Sequence, residues 1–374
     1  MSLDRRTSLM ILSALPGLGP VKIRKLDGLV PGGVDRLLDM NAEERHSWCS
    51  KPVVEELEHW QTFFDPEKVV STLENMGADF ITFEDEAYPD RLRHFGDRPI
   101  GLYRCRSDCR TPVRTLAIVG TRKPSAYGRR VTREFATELS RKGFSIVSGM
   151  AEGVDTEAHR SVLDIGGLTL AVLGGGLKRC YPASNRLLME EIMESGGVWS
   201  EFPLWRRADR RSFPQRNRIV AGLSEAVLVI ESGSTGGSLI TARMASEQGK
   251  QVYVIPGRID SPESTGCHAL IRDGAQLVTS VEDILDDIDY LPGLLQATSE
   301  HRKAMPKPAE RDYRPELEGV AEQIWNLLGD LGSARMDTLA TGLEVPVAEV
   351  SRHVMELEVD GHVCRRLDGQ YERV

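Results

Sequence analysis

The chain has 374 residues, of which 40% are hydrophobic and 28% charged, with a formal net charge of −9. That length suits two or three domains with a sizeable core. No apolar run of about eighteen residues offers a membrane-spanning helix. Cys49, Cys105, Cys109, Cys180, Cys267 and Cys364 are scattered, with the spacing of neither a disulfide framework nor a metal site. A reducing, cytoplasmic location without a structural metal is the expectation. The net charge conceals a split. Residues 110–220 hold nineteen Lys/Arg against eleven Asp/Glu, whereas residues 317–374 hold five Arg against eleven Asp/Glu. A polyanion would meet the middle of this chain and avoid its end.

Residues 1–75 alternate helical patterns with Gly/Pro turns, as in SLMILSALPGLG, VKIRKL and EELEHWQTFF. A small helical unit is predicted. The apolar stretch Leu9–Leu15 runs into Pro16-Gly17-Leu18-Gly19 and reads as a helix end rather than a leader. The segment PGLGPVKIRKL fits two readings: a helix-hairpin-helix turn presenting N–H groups to a phosphate, or an ordinary junction between packed helices.

From Thr115 the rhythm changes to short apolar runs: TLAIVG, FSIVSG, LTLAVLGGG, GVWSEF, AVLVIES, QVYVIPG and AQLVTS. They lack period-2 alternation, as do strands buried on both faces of a parallel sheet. Amphipathic stretches closed by Gly143 and Gly249 lie between them. The pattern predicts a doubly wound, Rossmann-like α/β domain over 76–292. Residues 293–316 are polar and Pro-rich, the composition of a linker. Residues 317–374 then give three helices and a hairpin turning at Asp368-Gly369, the order of a winged helix.

Ligands of open α/β sheets bind at the loops after the strands. Here those loops are Gly120-Thr121-Arg122, Ser148-Gly149 through Asp155, Gly174-Gly175-Gly176 and Ser232 through Gly236-Gly237-Ser238. Glycines let a ligand approach the backbone, and following helices offer free N–H groups. Four such loops on one rim predict a phosphate-binding crest. A dinucleotide enzyme would need G-x-G-x-x-G and an acidic end to the second strand; the chain has neither. Nucleoside-monophosphate hydrolysis or nucleotide sensing is the alternative, but STGGSLITA lacks the carboxylate of the P-G-G-x-G-T-x-x-E pattern. No Walker lysine, nucleophile elbow or metal cluster supports catalysis. Asp155 and His159, four apart, invite an acid–base reading; the expectation is that Asp155 caps a helix and His159 packs on the sheet.

The densest cationic segment is WRRADRRSFPQRNRIVAGLS, with Arg206, Arg207, Arg210, Arg211, Arg216 and Arg218 around Phe213. Guanidinium forks bind phosphate in pairs of charge-assisted hydrogen bonds, and Phe213 offers a face for a base. Cations with sparse aromatics are the recipe for sequence-tolerant single-strand binding. Some of these arginines, Arg216 or Arg218 in particular, are open to internal ion pairs instead.

The blocks YPDRLRHFGDRPIGLY, LAIVGTRKPSAYG, IVSGMAEGVDTEAH, FPQRNRIVAGLSEAVLVIES, GGSLITARMASEQGKQVYVIPG and GCHALIRDGAQLV resemble the DNA-processing protein A (DprA/Smf) family in order and spacing. The resemblance implies an extended Rossmann-like domain with a sterile-alpha-motif-like unit before it and a winged helix after it. It also implies a homodimer, without cofactor or enzymatic activity, that binds single-stranded DNA and loads the RecA recombinase during natural transformation. Carried onto this chain, it makes Arg122 a DNA contact, with Gly120 and Thr121 shaping the pocket. The family often has lysine where this chain has Ala183, so Lys178, Arg179 or Arg186 is expected to compensate. The expected interface therefore comprises Gly120, Thr121, Arg122, Ser148, Gly149, Lys178, Arg179, Arg186, Phe213, Arg216, Asn217, Arg218, Gly236, Gly237 and Ser238. His268 replaces a usual asparagine, and the acidic winged helix is expected to meet protein rather than DNA.

Overall fold

The computed structural model describes residues 3–105, 114–288, 317, 319–343, 345–360, 362–365 and 370–373. The expected linker and the Asp368-Gly369 turn lie outside them. The chain forms two compact units, residues 1–292 and 293–374.

In the first unit, helices α1 (Arg5–Ala14), α2 (Pro20–Leu29), α3 (Ala42–His46), α4 (Lys51–His59) and α5 (Pro66–Asn75) precede the sheet. Asp4 starts α1 by accepting the Thr7 N–H at 2.9 Å, and Pro20 opens α2 where its missing N–H costs nothing. The buried Leu9, Ile11, Leu12, Ile23, Leu37 and Leu57 belong to one apolar cluster with Phe80, Tyr103, Leu173, Leu188 and Ile192. The helices thus share a core with one end of the sheet.

The strands are β1 (Ala78–Thr82), β2 (Gly101–Cys105), β3 (Thr115–Gly120), β4 (Ser145–Ser148), β5 (Thr169–Val172), β6 (Gly197–Ser200), β7 (Ala226–Ile230), β8 (Gln251–Val254) and β9 (Gln276–Leu277). Their order across the sheet is β1-β2-β6-β5-β4-β3-β7-β8-β9. From β6 to β9 neighbours are parallel. The seven apolar runs are these seven strands. The sheet is longer than expected by the antiparallel β1 and β2, which have the short helix α6 (Asp90–Arg93) between them and extend it beyond β6.

Successive residues of each strand serve opposite faces. Leu116 and Ile118 join Val131, Phe135 and Leu139 of α7 (Ala126–Arg141) and Val154, Ala158 and Val162 of α8 (Val154–Leu163). Ala117 and Val119 join Ile219 and Leu223 of α10 (Ser212–Leu223) and Ala242 and Ala245 of α11 (Gly237–Glu247) on the other face. Helix α9 (Arg186–Ser195) packs beside β6. The chain runs outward from β3 through β4, β5 and β6, then returns to place β7 on the far side of β3. That reversal leaves a crevice beyond the carboxyl ends of β3, β4 and β7, the usual ligand position in such sheets.

The second unit has helices Val320–Leu331, Met336–Leu343 and Val347–Val359, followed by β10 (Val363–Arg365) paired antiparallel with β11 (Tyr371–Arg373). Ile324, Leu328, Leu339, Val350, Val354 and Val363 form its own core, the expected winged helix.

Candidate nucleic-acid interface

The crevice holds an open cavity of about 590 Å3, lined among others by Gly120, Thr121, Arg122, Gly149, Phe213 and Arg216. Asn217, Gly236, Gly237 and Ser238 complete the β7 side.

Close packing explains the glycines. A Cβ on Gly120 would sit 2.0 Å from the Ile230 carbonyl oxygen, so only glycine lets β3 leave the sheet beside β7. The Arg122 loop is then pinned by Glu231. This buried residue has φ +49°, accepts the Ser125 N–H at 2.8 Å and the Ser125 hydroxyl, and offers its carbonyl to the Thr121 N–H at 2.7 Å. Ser125 in turn caps α7 by accepting the Gly128 N–H.

Arg122 reaches out from this loop. Its guanidinium lies 5.4 Å from the Phe213 ring centroid, and Tyr181 lies 5.4 Å from Phe213 on centroids, tilted by 45°. Cation, half-buried phenyl and exposed phenol share one mouth. Arg216 forms the floor. It is 5% exposed, donates to the Val172 carbonyl at 3.1 Å, and its Nε has no hydrogen-bond partner among the described residues. Burial lowers its pKa to about 10, with Asp155 opposing and Arg122 adding to the shift, so the group stays cationic at neutral pH. Gly149 gives it room: a Cβ there would fall 1.5 Å from Arg216 Nη1.

Asp155 lies below. Its carboxylate accepts the N–H groups of Gly149 at 3.1 Å and Ala151 at 3.2 Å. Burial pushes its pKa up, against the pull of Arg216 and those amides. The expectation that Asp155 caps its helix is corrected: Gly153 holds the cap position of α8 without a side-chain bond, and Asp155 stitches the preceding loop instead. His159 packs on the sheet as expected, its Nδ1 2.6 Å from Thr169 Oγ1, and burial lowers its pKa to about 3.

The structure does not bring all the expected residues to the cavity. Arg218 is held by Glu201 and lies 3.7 Å from Asp97, which removes it as a free phosphate ligand. It sits two residues after Arg216 on α10 and therefore on a different face. The Ser148 side chain is buried and its hydroxyl donates to the Ile118 carbonyl at 2.7 Å, a strand-to-strand tie. Lys178, Arg179 and Arg186 are exposed outside the cavity lining, and Arg186 pairs with Glu190 at 3.1 Å. Tyr181, not a cation, enters the site from that loop. The glycine run Gly174-Gly175-Gly176 serves mainly packing. A Cβ on Gly176 would meet the Pro203 carbonyl at 1.9 Å, and its N–H bonds the Arg206 carbonyl, bracing the arginine-rich loop. His268 Nε2 lies 3.0 Å from the Gly257 carbonyl, a local contact.

Sequence reasoning missed Tyr181, Glu231 and Asn185. Asn185 donates to the Met150 carbonyl at 3.0 Å and to Thr156 Oγ1 at 2.8 Å, locking two rim loops together. Tyr181 stands beside Pro182 in the loop after β5, but its ring contact with Phe213 links residues far apart in the chain.

A sequence model of the family described as DNA recombination-mediator protein A matches residues 79–289. The chain belongs to this family. A second model, the DprA winged helix domain, matches residues 306–369. The chain is 37% identical over 306 residues to Protein Smf of Escherichia coli, covering 81% of this chain and 79% of that one. The X-ray structure of DNA processing protein A from Streptococcus pneumoniae superposes with a TM-score of 0.64 at 33% identity, covering 76% of this chain and 98% of that one. DNA processing protein A of Helicobacter pylori, whose structure is titled for its single-stranded DNA binding mode, gives a TM-score of 0.51 at 30% identity over 57% of this chain and 96% of that one. The expected family and Rossmann-like fold hold, and this DprA-family chain is a member of a group of DNA-processing proteins.

Proposed function

We propose that this DprA-family protein grips single-stranded DNA in the cavity beyond β3, β4 and β7 and delivers it to the RecA recombinase, as a cytoplasmic homodimer without catalysis. The observation that carries the reading is the Arg122 guanidinium over the Phe213 ring, in a pocket also lined by the buried cation Arg216. A phosphate at Arg122 gains a paired, charge-assisted contact. A base leaving the strand meets the Phe213 and Tyr181 rings, whose π faces accept any base. The uncapped N-terminus of α11 at Gly236 adds backbone N–H groups on the β7 side. The H. pylori relative, named for single-stranded DNA binding, supports the same ligand here.

Nucleotide hydrolysis is the weaker reading, because the carboxylate of Asp155 is buried and already accepts two backbone N–H groups. The acidic winged helix is assigned a protein partner; salt-sensitive DNA binding by the fragment 317–374 would refute that assignment.

The test is Arg122→Ala in the full chain, titrated by fluorescence anisotropy with single-stranded oligonucleotides of several sequences. Affinity should fall about ten-fold for all of them, and the slope of log affinity against log salt should drop by about one contact. Unchanged affinity refutes the site. RecA delivery is tested by the lag of RecA filament formation on coated single strands, which should shorten with the wild type.

A further inference from the structure

A second cavity, about 700 Å3, opens on the other side of α10. One wall is the Gly/Pro turn from Leu15 to Pro20; the other carries Phe202, Arg206, Arg211, Gln215 and Arg218. Its walls are held firmly together. The α1–α2 pair shares its core with the sheet, and Arg24 of α2 donates to the Arg98 carbonyl at 2.6 Å.

Helix periodicity explains why one segment serves both cavities. Phe213, Pro214 and Asn217 line the first, while Gln215 and Arg218, three residues apart, line the second. The loop before the helix divides likewise, Arg210 to the first and Arg206 and Arg211 to the second. Guanidinium groups therefore continue from one cavity to the other across the N-terminal end of α10. In the second cavity Arg218 is neutralised by Glu201. Arg206 lies 4.3 Å over the Phe202 ring and 3.5 Å from the exposed Asp209. Arg211 is exposed and carries no ion pair among the described residues. Two accessible cations remain, with room between them and the turn for an extended backbone.

We propose that this cavity is a second subsite for the same single-stranded polynucleotide. The strand leaving the Arg122 cavity crosses the start of α10 past Arg210 and lays its next phosphates against Arg211 and Arg206, with the Gly17–Gly19 backbone as the opposite wall. The proposal rests on the reading of the Arg122 cavity as a single-strand site. It gives the N-terminal helices a part in binding, and it makes affinity depend on strand length rather than sequence.

The test uses the full chain, wild type and R206A/R211A, with a thymidine oligomer of about six nucleotides and another of about twenty-five. Both substitutions are at exposed positions, and unchanged thermal unfolding confirms the fold. The variant should bind the short oligomer like wild type, bind the long one about ten-fold more weakly, and lose about 1.4 units of salt slope on it. Backbone amides of residues 15–22 should gain hydrogen-exchange protection with the long oligomer and not with the short one. If R122A weakens the short oligomer while R206A/R211A leaves the long one unaffected, or if residues 15–22 gain no protection from the long one, the second subsite is refuted alone. If R122A leaves short-oligomer binding intact, the first cavity falls and this proposal with it.

Discussion

Replacing Gly149 by alanine tests the architecture of the site floor. The new methyl would lie 1.5 Å from Arg216 Nη1 and 2.3 Å from its Cζ, so the guanidinium must leave its place. It then loses its bond to the Val172 carbonyl, and charge-assisted bonds of this kind contribute about 1.5–3 kcal/mol. Overpacking of a filled interior adds about 1–3 kcal/mol. A destabilisation of about 2.5–6 kcal/mol follows, together with weaker single-strand binding. Arg216→Ala removes the obstacle, so Gly149→Ala should cost under about 1 kcal/mol in that background. Urea unfolding of the wild type, both single variants and the double variant closes the cycle, with an expected coupling of at least about 1.5 kcal/mol. Additive costs would show that Gly149 and Arg216 do not share this space and would refute the reasoning.

Phe213→Ala should weaken oligonucleotide binding by about 1–3 kcal/mol, the scale of one base stack, with the salt slope unchanged; a changed slope in the anisotropy titration would contradict a stacking role. Glu201→Gln should destabilise the fold by about 3 kcal/mol in urea unfolding, because Arg218 is left as a buried cation without its carboxylate. His159 is held neutral down to about pH 3, whereas in the unfolded chain it takes up its proton near the ordinary 6.5. Below pH 6.5 the unfolded state therefore binds the extra proton, and stability falls as pH drops towards 3, by up to about 1.4 kcal/mol per pH unit. His159→Gln should flatten that part of the stability profile; an unchanged slope would show that other groups cause it.

The parallel strands were legible because burial on both faces makes each an uninterrupted apolar run, as in TLAIVG and AVLVIES. The antiparallel pair was not: β1 and β2 carry Asp79 and Arg104 in mid-strand, which pair with each other across the ladder. At the site, Arg122 and Phe213 were readable from a strand-end loop and an arginine-rich segment. The different fates of Arg216 and Arg218 were not. Two residues apart on one helix, they diverge because Glu201 faces one and Gly149 makes room for the other. Glu231 escaped notice because its carboxylate acts on a loop 106 residues away in sequence.

The apolar cluster joining α1, α2 and α4 to Leu173, Leu188 and Ile192 bears on any dissection of the molecule. Severing the chain before β1, where the family match begins, would strip a greasy flank of its cover and hand it to the solvent. The first seventy-odd residues are thus a lid welded to the sheet rather than an accessory hung from it. Any fragment of this chain meant to keep the crevice intact has to carry those helices with it.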